Sequence, residues 1–190
     1  MITHPRPFYF LRHGQTDWNV EGRIQGHTDT PLNATGIEQA RQAAELLKSH
    51  PITRIISSPL IRALKTAAIA AESVRLPVHV DSRLMERTFG SIEGRLNAEV
   101  KAEHGVPPES SLTHILPPDA EQWPQTIHRA HSSIAHWLNT YPEDTIMFVG
   151  HGAFFRAMHE ALTGQHHEAQ NATPYLYTPC ENAGWRMKTC

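Results

Sequence analysis

Arg12, His13 and Gly14 directly follow an apolar run at residues 8–11. A short, wholly apolar run of this kind predicts a strand buried on both faces of a sheet. The glycine permits a sharp turn at the carboxyl end of that strand, where open α/β sheets bind their ligands. An arginine and a histidine at a buried strand end are costly unless an anion binds there. The pattern therefore predicts an anion site at the end of the first strand.

A second strand leads into the same kind of histidine–glycine pair. Residues 145–150 form an apolar run that ends at His151 and Gly152. Because parallel strands end at the same edge of a sheet, His13 and His151 are expected to lie close together. Taken singly, each pair is explained by a histidine at a strand end that is followed by a turn glycine. Two such pairs in one chain favour a functional site.

Arg62 lies in the first turn of the next predicted helix, for which Ser58 and Pro59 are suitable N-cap and N1 residues. The N-terminus of a helix offers free amides and the positive end of the helix dipole. An arginine at that end is placed for an anion rather than for a salt bridge. A solvated surface arginine is the alternative, and it is acceptable only if the two histidine pairs are ignored.

The remaining chain alternates between strand-like and helix-like segments. This alternation predicts one α/β domain over residues 1–190, with helices on both faces of a mostly parallel sheet. Thr35 and Glu38 form a plausible capping box for the first helix. The predicted helices cover residues 35–49, 58–73, 96–104, 121–139 and 153–162, the further strands cover 53–57, 78–80, 174–177 and 185–187, and residues 19–32, 83–95 and 105–120 are loops or irregular.

The composition excludes several classes of protein. The formal net charge of the 190 residues is −2, without a basic block, so broad nucleic-acid binding is not expected. No apolar run approaches the roughly 20 residues of a membrane helix, and the N-terminus lacks the apolar core of a signal peptide. The two cysteines, Cys180 and Cys190, suggest no disulfide framework. The expected location is therefore cytoplasmic, and the oligomeric state cannot be read from the sequence.

Fourteen histidines raise the question of a metal site. No His-x-x-x-His with an adjacent glutamate occurs, and His166 and His167 lie in a polar stretch that is typical of solvated surface. No metal site is therefore predicted. A further candidate lies at residues 84–94, a glycine-rich loop that contains Glu86 and Glu93. The residues by themselves leave open which of the two glutamates belongs to the anion site.

The chain resembles the histidine phosphatase superfamily, in the branch that holds the cofactor-dependent phosphoglycerate mutases and related small phosphatases. The resemblance covers nearly the whole chain and implies a three-layer α/β/α sandwich. The motifs that carry it are Arg12–Thr16 with Trp18 and Asn19, Gly22–Gly26, Asp29, Pro31, Leu32 and Gly36, Ser57–Pro59 with Arg62, Ala63, Thr66 and Ala67, Leu84, Glu86, Gly90, Glu93 and Gly94, and Gly150–Gly152.

The resemblance also implies the role of each site residue. His13 would attack phosphorus to form a phosphohistidine, with its other ring nitrogen held by a backbone carbonyl. Glu86 would give its proton to the leaving oxygen and then take one from the attacking water. Arg12, Arg62 and a protonated His151 would supply positive charge. Neutral phosphate contacts would come from Thr16, Asn19, Gln25 and the backbone at and after Gly152, and no metal or cofactor would be required.

Hydrolysis is favoured over the mutase reaction. In glycolytic mutases, the family pattern implies a Tyr and a Lys after the acidic motif and an Arg pair in a following insertion. Here those first two positions hold Phe89 and Asn97, and no Arg or Lys lies between Lys101 and Arg129. The chain is thus interpreted as a metal-independent, histidine acid phosphatase-type phosphomonoesterase acting on a small phosphorylated metabolite. A phosphoglycerate mutase is the alternative, and a non-catalytic phospho-ligand binding module is the alternative of another class.

Residues 96–125 are expected to form a lid insertion over the pocket. Related small phosphatases often carry Gly-Glu-Ser before the late helix, and the corresponding stretch here keeps only the glutamate, Glu121. Glu121 is therefore a weaker candidate site residue. A carboxylate favoured by the dipole at a helix N-terminus is the other interpretation.

Overall fold

The computed structural model describes residues 1–180 and 184–190. Its six described strands form one sheet in the order β3-β2-β4-β1-β5-β6. The first four strands in that order are parallel, whereas β5 pairs antiparallel to β1 and β6 pairs antiparallel to β5. The strands are β1 (Phe8–Arg12), β2 (Arg54–Ser57), β3 (Val78–Val80), β4 (Ile146–Gly150), β5 (Pro174–Pro179) and β6 (Trp185–Thr189).

Helices connect the parallel strands. Their bounds lie within a few residues of the predicted ones, apart from one helix that the sequence analysis missed. In the described residues no helix has the length and apolar character needed to cross a membrane. The helices are α1 (Asp17–Glu21), α2 (Ala34–Leu47), α3 (Ile61–Val74), α4 (Asn97–Glu103), α5 (Trp123–Thr140) and α6 (Gly152–Thr163).

Two hydrophobic cores lie on opposite faces of the sheet. Successive side chains of a strand point to opposite faces, so Phe8 and Phe10 of β1 pack with α5 and α6, whereas Tyr9 and Leu11 pack with α2 and α3. All four side chains are at most 3% exposed. The wholly apolar run is thus explained by burial on both sides, and the predicted α/β/α sandwich with a mostly parallel sheet is confirmed.

Three local predictions were wrong. Residues 19–21 of the predicted loop belong to α1 (Asp17–Glu21), because Thr16 and Asn19 close a capping box around a helix too short to show a periodic pattern. The N-cap of α2 is Asn33, whose side chain accepts from the Gly36 amide, and not Thr35. The first residue of α3 is Ile61, after an N-cap at Leu60, because the Ser58 hydroxyl accepts the Leu60 amide and keeps residues 58–60 out of the helix.

Gly14 is required by a close approach between two loops. A Cβ on Gly14 would lie 2.3 Å from the carbonyl oxygen of Gly36, and a Cβ on Gly36 would lie 2.1 Å from the carbonyl oxygen of Gln15. Both contacts are with backbone, which cannot rotate away. The turn after β1 and the N-terminus of α2 therefore touch only because neither residue has a side chain.

Gly14→Ala is expected to lower the free energy of unfolding by about 3 kcal/mol, because the backbone must shift to relieve the overlap. The midpoint of urea denaturation measures this change. Gly184→Ala is the matched control, since a Cβ there meets no atom of the described residues within 4 Å. Equal midpoints for the two variants would contradict the close-contact explanation.

Candidate active site

The carboxyl ends of β1 and β4 lie side by side, with Arg12 opposite Gly150. A cavity of about 410 Å³ opens at this edge of the sheet. The rings of His13 and His151 are 5.3 Å apart, centroid to centroid, so the two histidine pairs do meet. Most of the predicted site residues line the wall of this cavity, namely Arg12, His13, Asn19, Gln25, Arg62, Glu86 and Gly152. The other two, Thr16 and His151, are buried and do not line the wall.

His13 is held in one tautomer. Its side chain is buried, and its Nδ1 lies 2.7 Å from the carbonyl oxygen of Gly14. A carbonyl only accepts, so Nδ1 carries the proton and Nε2 keeps its lone pair. Burial, followed by the positive charges of Arg12 and Arg62, holds the pKa of His13 well below its usual value of 6.5. The imidazole is therefore neutral and has a free nucleophilic nitrogen at neutral pH.

Two guanidinium groups flank His13 without a carboxylate partner. Arg12 donates from Nη1 to the carbonyl oxygen of Ala169, and Arg62 donates to the carbonyl oxygens of Thr28 and Gly26. The Nε atom of each arginine is buried and has no partner among the described residues. Neither arginine forms an ion pair with any side chain of residues 1–180 and 184–190. Backbone carbonyls thus fix two charges that are left to bind an anion.

Asn19 and Gln25 present amide nitrogens to the cavity. The side-chain oxygen of Asn19 accepts from Thr16, and that of Gln25 accepts from Thr16 and Thr30. With their oxygens engaged, both side chains have NH₂ groups available as donors. Thr16 lies outside the cavity wall, because its hydroxyl caps α1 and orients these amides. The structure therefore does not place Thr16 on the cavity wall, and its contact with a ligand stays a prediction.

His151 is expected to be neutral while no anion is bound. The pKa of His151 is well below its usual value of 6.5, chiefly because the ring is buried and also because Arg62, His13 and Arg12 lie nearby. The imidazole is therefore neutral as long as no anion balances the charges of the two arginines. Its Nε2 lies 2.7 Å from the Ser58 hydroxyl, and its Nδ1 is buried with no partner in residues 1–180 or 184–190. A bound dianion would offset the neighbouring positive charges. Protonation of His151 is thus expected to accompany anion binding, not to precede it.

The two glutamates of the glycine-rich loop have different surroundings. Glu93 accepts from the amides of His27, Thr28 and Phe89, and so joins two loops. Burial by itself would raise the pKa of Glu93, but these hydrogen bonds hold it below its usual value. Glu86 lies on the cavity wall instead. The sequence left open whether Glu86 or Glu93 belongs to the anion site, and the structure places Glu86 on the cavity wall.

Glu86 is held against the N-terminus of α6. Its Oε1 accepts from the amides of Arg87 and Phe154, and its Oε2 accepts from the amide of Ala153. The amide after Gly152 therefore contacts Glu86, contrary to the prediction that it faces the phosphate. The amide of Gly152 itself is at the first position of α6, where no intrahelical acceptor exists. Oε2, with a single amide, has a lone pair left for a proton.

Glu121 supports the Glu86 loop from behind. Its carboxylate forms a two-point ion pair with Arg129, at 2.8 and 2.6 Å. Arg129 in turn donates to the carbonyl oxygens of Arg83 and Met85. The position of Glu121 is therefore explained by its ion pair with Arg129 and not by the helix dipole. Glu121 does not line the cavity. Glu121 is a positioning residue.

Three arginines on the wall, Arg23, Arg87 and Arg156, were missed by the sequence analysis. Arg87 directly follows Glu86, and Arg156 lies four residues after Gly152 on α6. The helical spacing of Gly152 and Arg156 was a signal that could have placed Arg156 on the cavity face. Phe89 and Asn97 also lie on this wall, as do residues 109–113 of the segment interpreted as a lid. The lid function of residues 96–125 stays a prediction.

No group of three or more metal-ligating side chains is arranged to hold an ion within the part of the chain that the structure describes. His166 is exposed and lies 3.5 Å from the carboxylate of Glu160. His167 is exposed as well, with its ring near those of Phe155 and Tyr175. These positions match the solvated surface that the sequence predicts for the pair.

The stability of the fold is expected to fall as the pH drops below 6.5. The folded state keeps His13 and His151 neutral, whereas the unfolded chain protonates them near their usual pKa of 6.5. The two histidines therefore contribute fully to the free energy of unfolding above the unfolded-state pKa of 6.5. This contribution is lost as the pH falls from 6.5 toward their lowered pKa in the folded state. The expected slope is up to about 1.4 kcal/mol per pH unit for each histidine. Urea denaturation between pH 7 and pH 5 measures it.

Two variants separate this effect from general acid sensitivity. His13→Ala is expected to reduce the slope, because it removes one of the groups that the fold keeps neutral. His166→Ala is the matched control, since 84% of that side chain is exposed, and its slope is expected to equal that of the parent protein. A slope that His13→Ala leaves unchanged would contradict the assignment.

Comparison with known proteins identifies the family of this chain. The family model described as "Histidine phosphatase superfamily (branch 1)" matches residues 8–185. The "Uncharacterized phosphatase PhoE" of Bacillus subtilis (strain 168) is 34% identical over 161 residues, which are 85% of this chain and 79% of that protein. The "Probable phosphoglycerate mutase GpmB" of Salmonella arizonae is 35% identical over 159 residues, which are 82% of this chain and 74% of that protein.

A solved structure extends the similarity to the fold. The mycobacterial glucosyl-3-phosphoglycerate phosphatase, in complex with VO3, superposes with a TM-score of 0.83 at 28% identity, with 97% of each chain covered. This similarity and the family match agree on the fold. The chain thus belongs to the histidine phosphatase superfamily, branch 1, and is an enzyme of that superfamily.

Proposed function

We propose that the protein is a metal-independent phosphohydrolase that acts on small phosphate monoesters through a phosphohistidine on His13. The observation that carries the proposal is the neutral, tautomer-fixed His13 between two guanidinium groups that have no carboxylate partner. A nucleophile of this kind needs an electrophile that carries negative charge. A phosphoryl group meets that need, because its charge is spread over three equatorial oxygens.

In the first step, Nε2 of His13 attacks phosphorus and the bond from phosphorus to the alcohol oxygen breaks. Arg12 and Arg62 bind the equatorial oxygens, and Asn19 and Gln25 donate from their NH₂ groups. The departing alkoxide takes a proton from Glu86. The products of this step are the free alcohol and a phosphohistidine, with Glu86 left as a carboxylate.

In the second step, water attacks the phosphohistidine. Glu86 accepts a proton from this water as the new bond to phosphorus forms, and the bond between phosphorus and Nε2 breaks. Inorganic phosphate leaves, while His13 and Glu86 return to their starting states. The positive charge around the site comes from arginines, which supports a reaction that proceeds without a metal ion.

Mutase activity is the second candidate, supported by the similarity to the GpmB protein. A mutase must retain the intermediate and return the phosphoryl group to a bound acid. The apolar Phe89 and the uncharged Asn97 on the cavity wall favour hydrolysis. A non-catalytic binding module is disfavoured, because binding by itself would not require a free nucleophilic nitrogen at His13.

Phosphate release from a panel of phosphorylated metabolites, with a chelator present, tests the proposal. We expect release from small monoesters, with little conversion of 3-phosphoglycerate to its 2-isomer. A zinc-dependent phosphatase in the same buffer is the control and should lose activity. Activity that chelation abolishes and zinc or magnesium restores would overturn the metal-independent mechanism, and isomerisation faster than release would favour the mutase.

A further inference from the structure

The hydroxyl of Ser58 contacts His151 where two parallel strands end side by side. β2 pairs with β4, and the amide of Ser58 donates to the carbonyl oxygen of Val149, so the residues that follow the two strands lie together. Oγ of Ser58 is 2.7 Å from Nε2 of His151. Both residues are 0% exposed, so water does not compete for this hydrogen bond.

The surroundings of the hydroxyl determine the direction of this hydrogen bond. Oγ of Ser58 also accepts from the amide of Leu60, at 3.3 Å, and this amide and His151 are its hydrogen-bond partners among the described residues. An amide N–H cannot accept a hydrogen bond, whereas Nε2 of a neutral histidine can offer a lone pair. The hydroxyl therefore donates to Nε2, and the neutral ring of His151 carries its own proton on Nδ1.

The other tautomer of His151 would leave more buried groups unpaired. With the proton on Nε2, the Ser58 hydroxyl would accept from the ring, and its own proton would have no acceptor in residues 1–180 and 184–190. The lone pair of Nδ1 would also lack a partner, because no donor of the described residues reaches this buried atom. Buried polar groups without partners are costly. The Nδ1–H tautomer leaves one such group, the N–H itself.

The two histidines of the site are thus held in the same tautomer by different contacts. At His13, the carbonyl oxygen of Gly14 accepts from Nδ1 and leaves the lone pair of Nε2 free. At His151, the Ser58 hydroxyl occupies Nε2 and leaves the Nδ1 proton free. A free lone pair suits a nucleophile, whereas a free N–H beside two guanidinium groups suits the binding of an oxyanion.

We infer that Ser58 is a positioning residue that fixes neutral His151 as the Nδ1–H tautomer, so that this N–H donates to an oxygen of the bound phosphoryl group. The inference rests on the proposed function, because it needs a phosphoryl group at His13. The ring centroids of His13 and His151 are 5.3 Å apart, which places both rings within reach of one such group. When anion binding brings a second proton to His151, Nε2–H donates to the remaining lone pair of the same hydroxyl, so Ser58 serves both charge states.

The tautomer can be measured in the resting protein, without turnover. Two-bond ¹H–¹⁵N correlation spectra of uniformly ¹⁵N-labelled protein, free of phosphate at pH 8, distinguish a protonated ring nitrogen from one that has a lone pair. The signals of His151 are identified by their loss in His151→Gln. We expect the parent protein to carry the proton on Nδ1 and the lone pair on Nε2. A proton on Nε2 would overturn the inference.

Ser58→Ala tests whether the hydroxyl is the cause of this preference. We expect the Nε2–H tautomer to become the major form of His151, because the donor to Nε2 is lost and histidine in water favours that tautomer. Ser57→Ala is the matched control and should keep the parent tautomer, since Ser57 is equally buried but donates to the carbonyl oxygen of Ser58. Ser58→Cys, which keeps the volume with a weak donor, gives the same comparison if thermal unfolding shows that Ser58→Ala is not folded.

Calorimetry with inorganic phosphate tests the contact with the anion. Ser58→Ala is expected to bind phosphate about tenfold more weakly than the parent protein, because a hydrogen bond to a charged group is lost. Ser57→Ala should bind phosphate as tightly as the parent. A tautomer that changes in Ser58→Ala without any loss of phosphate affinity would overturn the donation from Nδ1 to the phosphoryl group.

Failure of this inference can be distinguished from failure of the proposed function. An Nδ1–H tautomer that persists in Ser58→Ala, or that Ser57→Ala removes equally well, would overturn the role of Ser58 even if the parent enzyme releases phosphate. The expected tautomers and affinities, combined with no phosphate release by the parent enzyme, would overturn the proposed hydrolysis and retain the positioning role.

Discussion

Replacing His13 by alanine is expected to lower kcat for p-nitrophenyl phosphate by about 10⁴-fold or more, because the variant has no nitrogen to accept the phosphoryl group. Phosphate binding should persist, since Arg12 and Arg62 are held by backbone carbonyls and not by His13. Steady-state kinetics measure the loss, and calorimetry with inorganic phosphate measures the retained binding. The combination separates loss of the nucleophile from collapse of the site.

A covalent readout makes this prediction sharper. A phosphohistidine is a phosphoramidate, so rapid quenching of the parent enzyme with labelled substrate should yield protein-bound phosphate that is labile to acid and stable to base. The His13→Ala protein should show none. His166→Ala is the matched control, because that ring is exposed and lies outside the cavity wall around His13. Equal turnover by parent and His13→Ala proteins would contradict the assigned nucleophile and favour a binding module.

The second large effect is expected for Glu86→Gln, and it should depend on the leaving group. For an alkyl phosphate such as glycerol 1-phosphate, kcat/KM is expected to fall by about 10²–10⁴-fold, because the amide cannot deliver a proton to the departing oxygen. For p-nitrophenyl phosphate the loss should be smaller by about tenfold or more, since nitrophenolate departs without protonation. Parallel assays of the two substrates measure the difference.

Glu93→Gln is the matched control for this prediction. The same substitution in the same loop removes an acceptor for the amides of His27, Thr28 and Phe89. It is expected to lower the unfolding temperature and to affect both substrates equally. Losses for Glu86→Gln that are the same on both substrates would show that Glu86 supports the site without acting as the acid.

Several features could be predicted because they depend on short stretches of chain. The apolar run of β1 predicts a strand that is buried on both faces of the sheet. The two His-Gly pairs predict that two strands end at the same edge of the sheet. The predictions of family and fold class are confirmed by the match over residues 8–185 and by the sandwich with cores on both faces of the sheet. The chemical roles of His13 and Glu86 stay predictions that the experiments above address.

Other features lay beyond sequence reasoning because they depend on which groups find partners. Glu86 and Glu93 cannot be distinguished by their places in a glycine-rich loop of the sequence. In the fold, Glu93 accepts hydrogen bonds from loop amides, whereas Glu86 lines the cavity. Thr16 carries a hydroxyl that suits a phosphate, but the fold uses it to cap α1 and to orient Gln25. From the sequence, His151 was expected to carry a positive charge. In the fold, its burial beside two guanidinium groups lowers its pKa and keeps the ring neutral.

By itself the sequence determined the buried central strand and the residue types at its end, because these follow from local pattern, and the residue types in turn predict anion chemistry at the site. Only the tertiary structure decided which charges stay unpaired, since pairing depends on distances between segments that are remote along the chain. Arg129 finds Glu121, whereas Arg12, Arg62 and Arg87 reach only carbonyl or hydroxyl oxygens. Arg62 and Arg87 are buried and Arg12 is partly buried, and these three charges support the proposal that the cavity binds an anion.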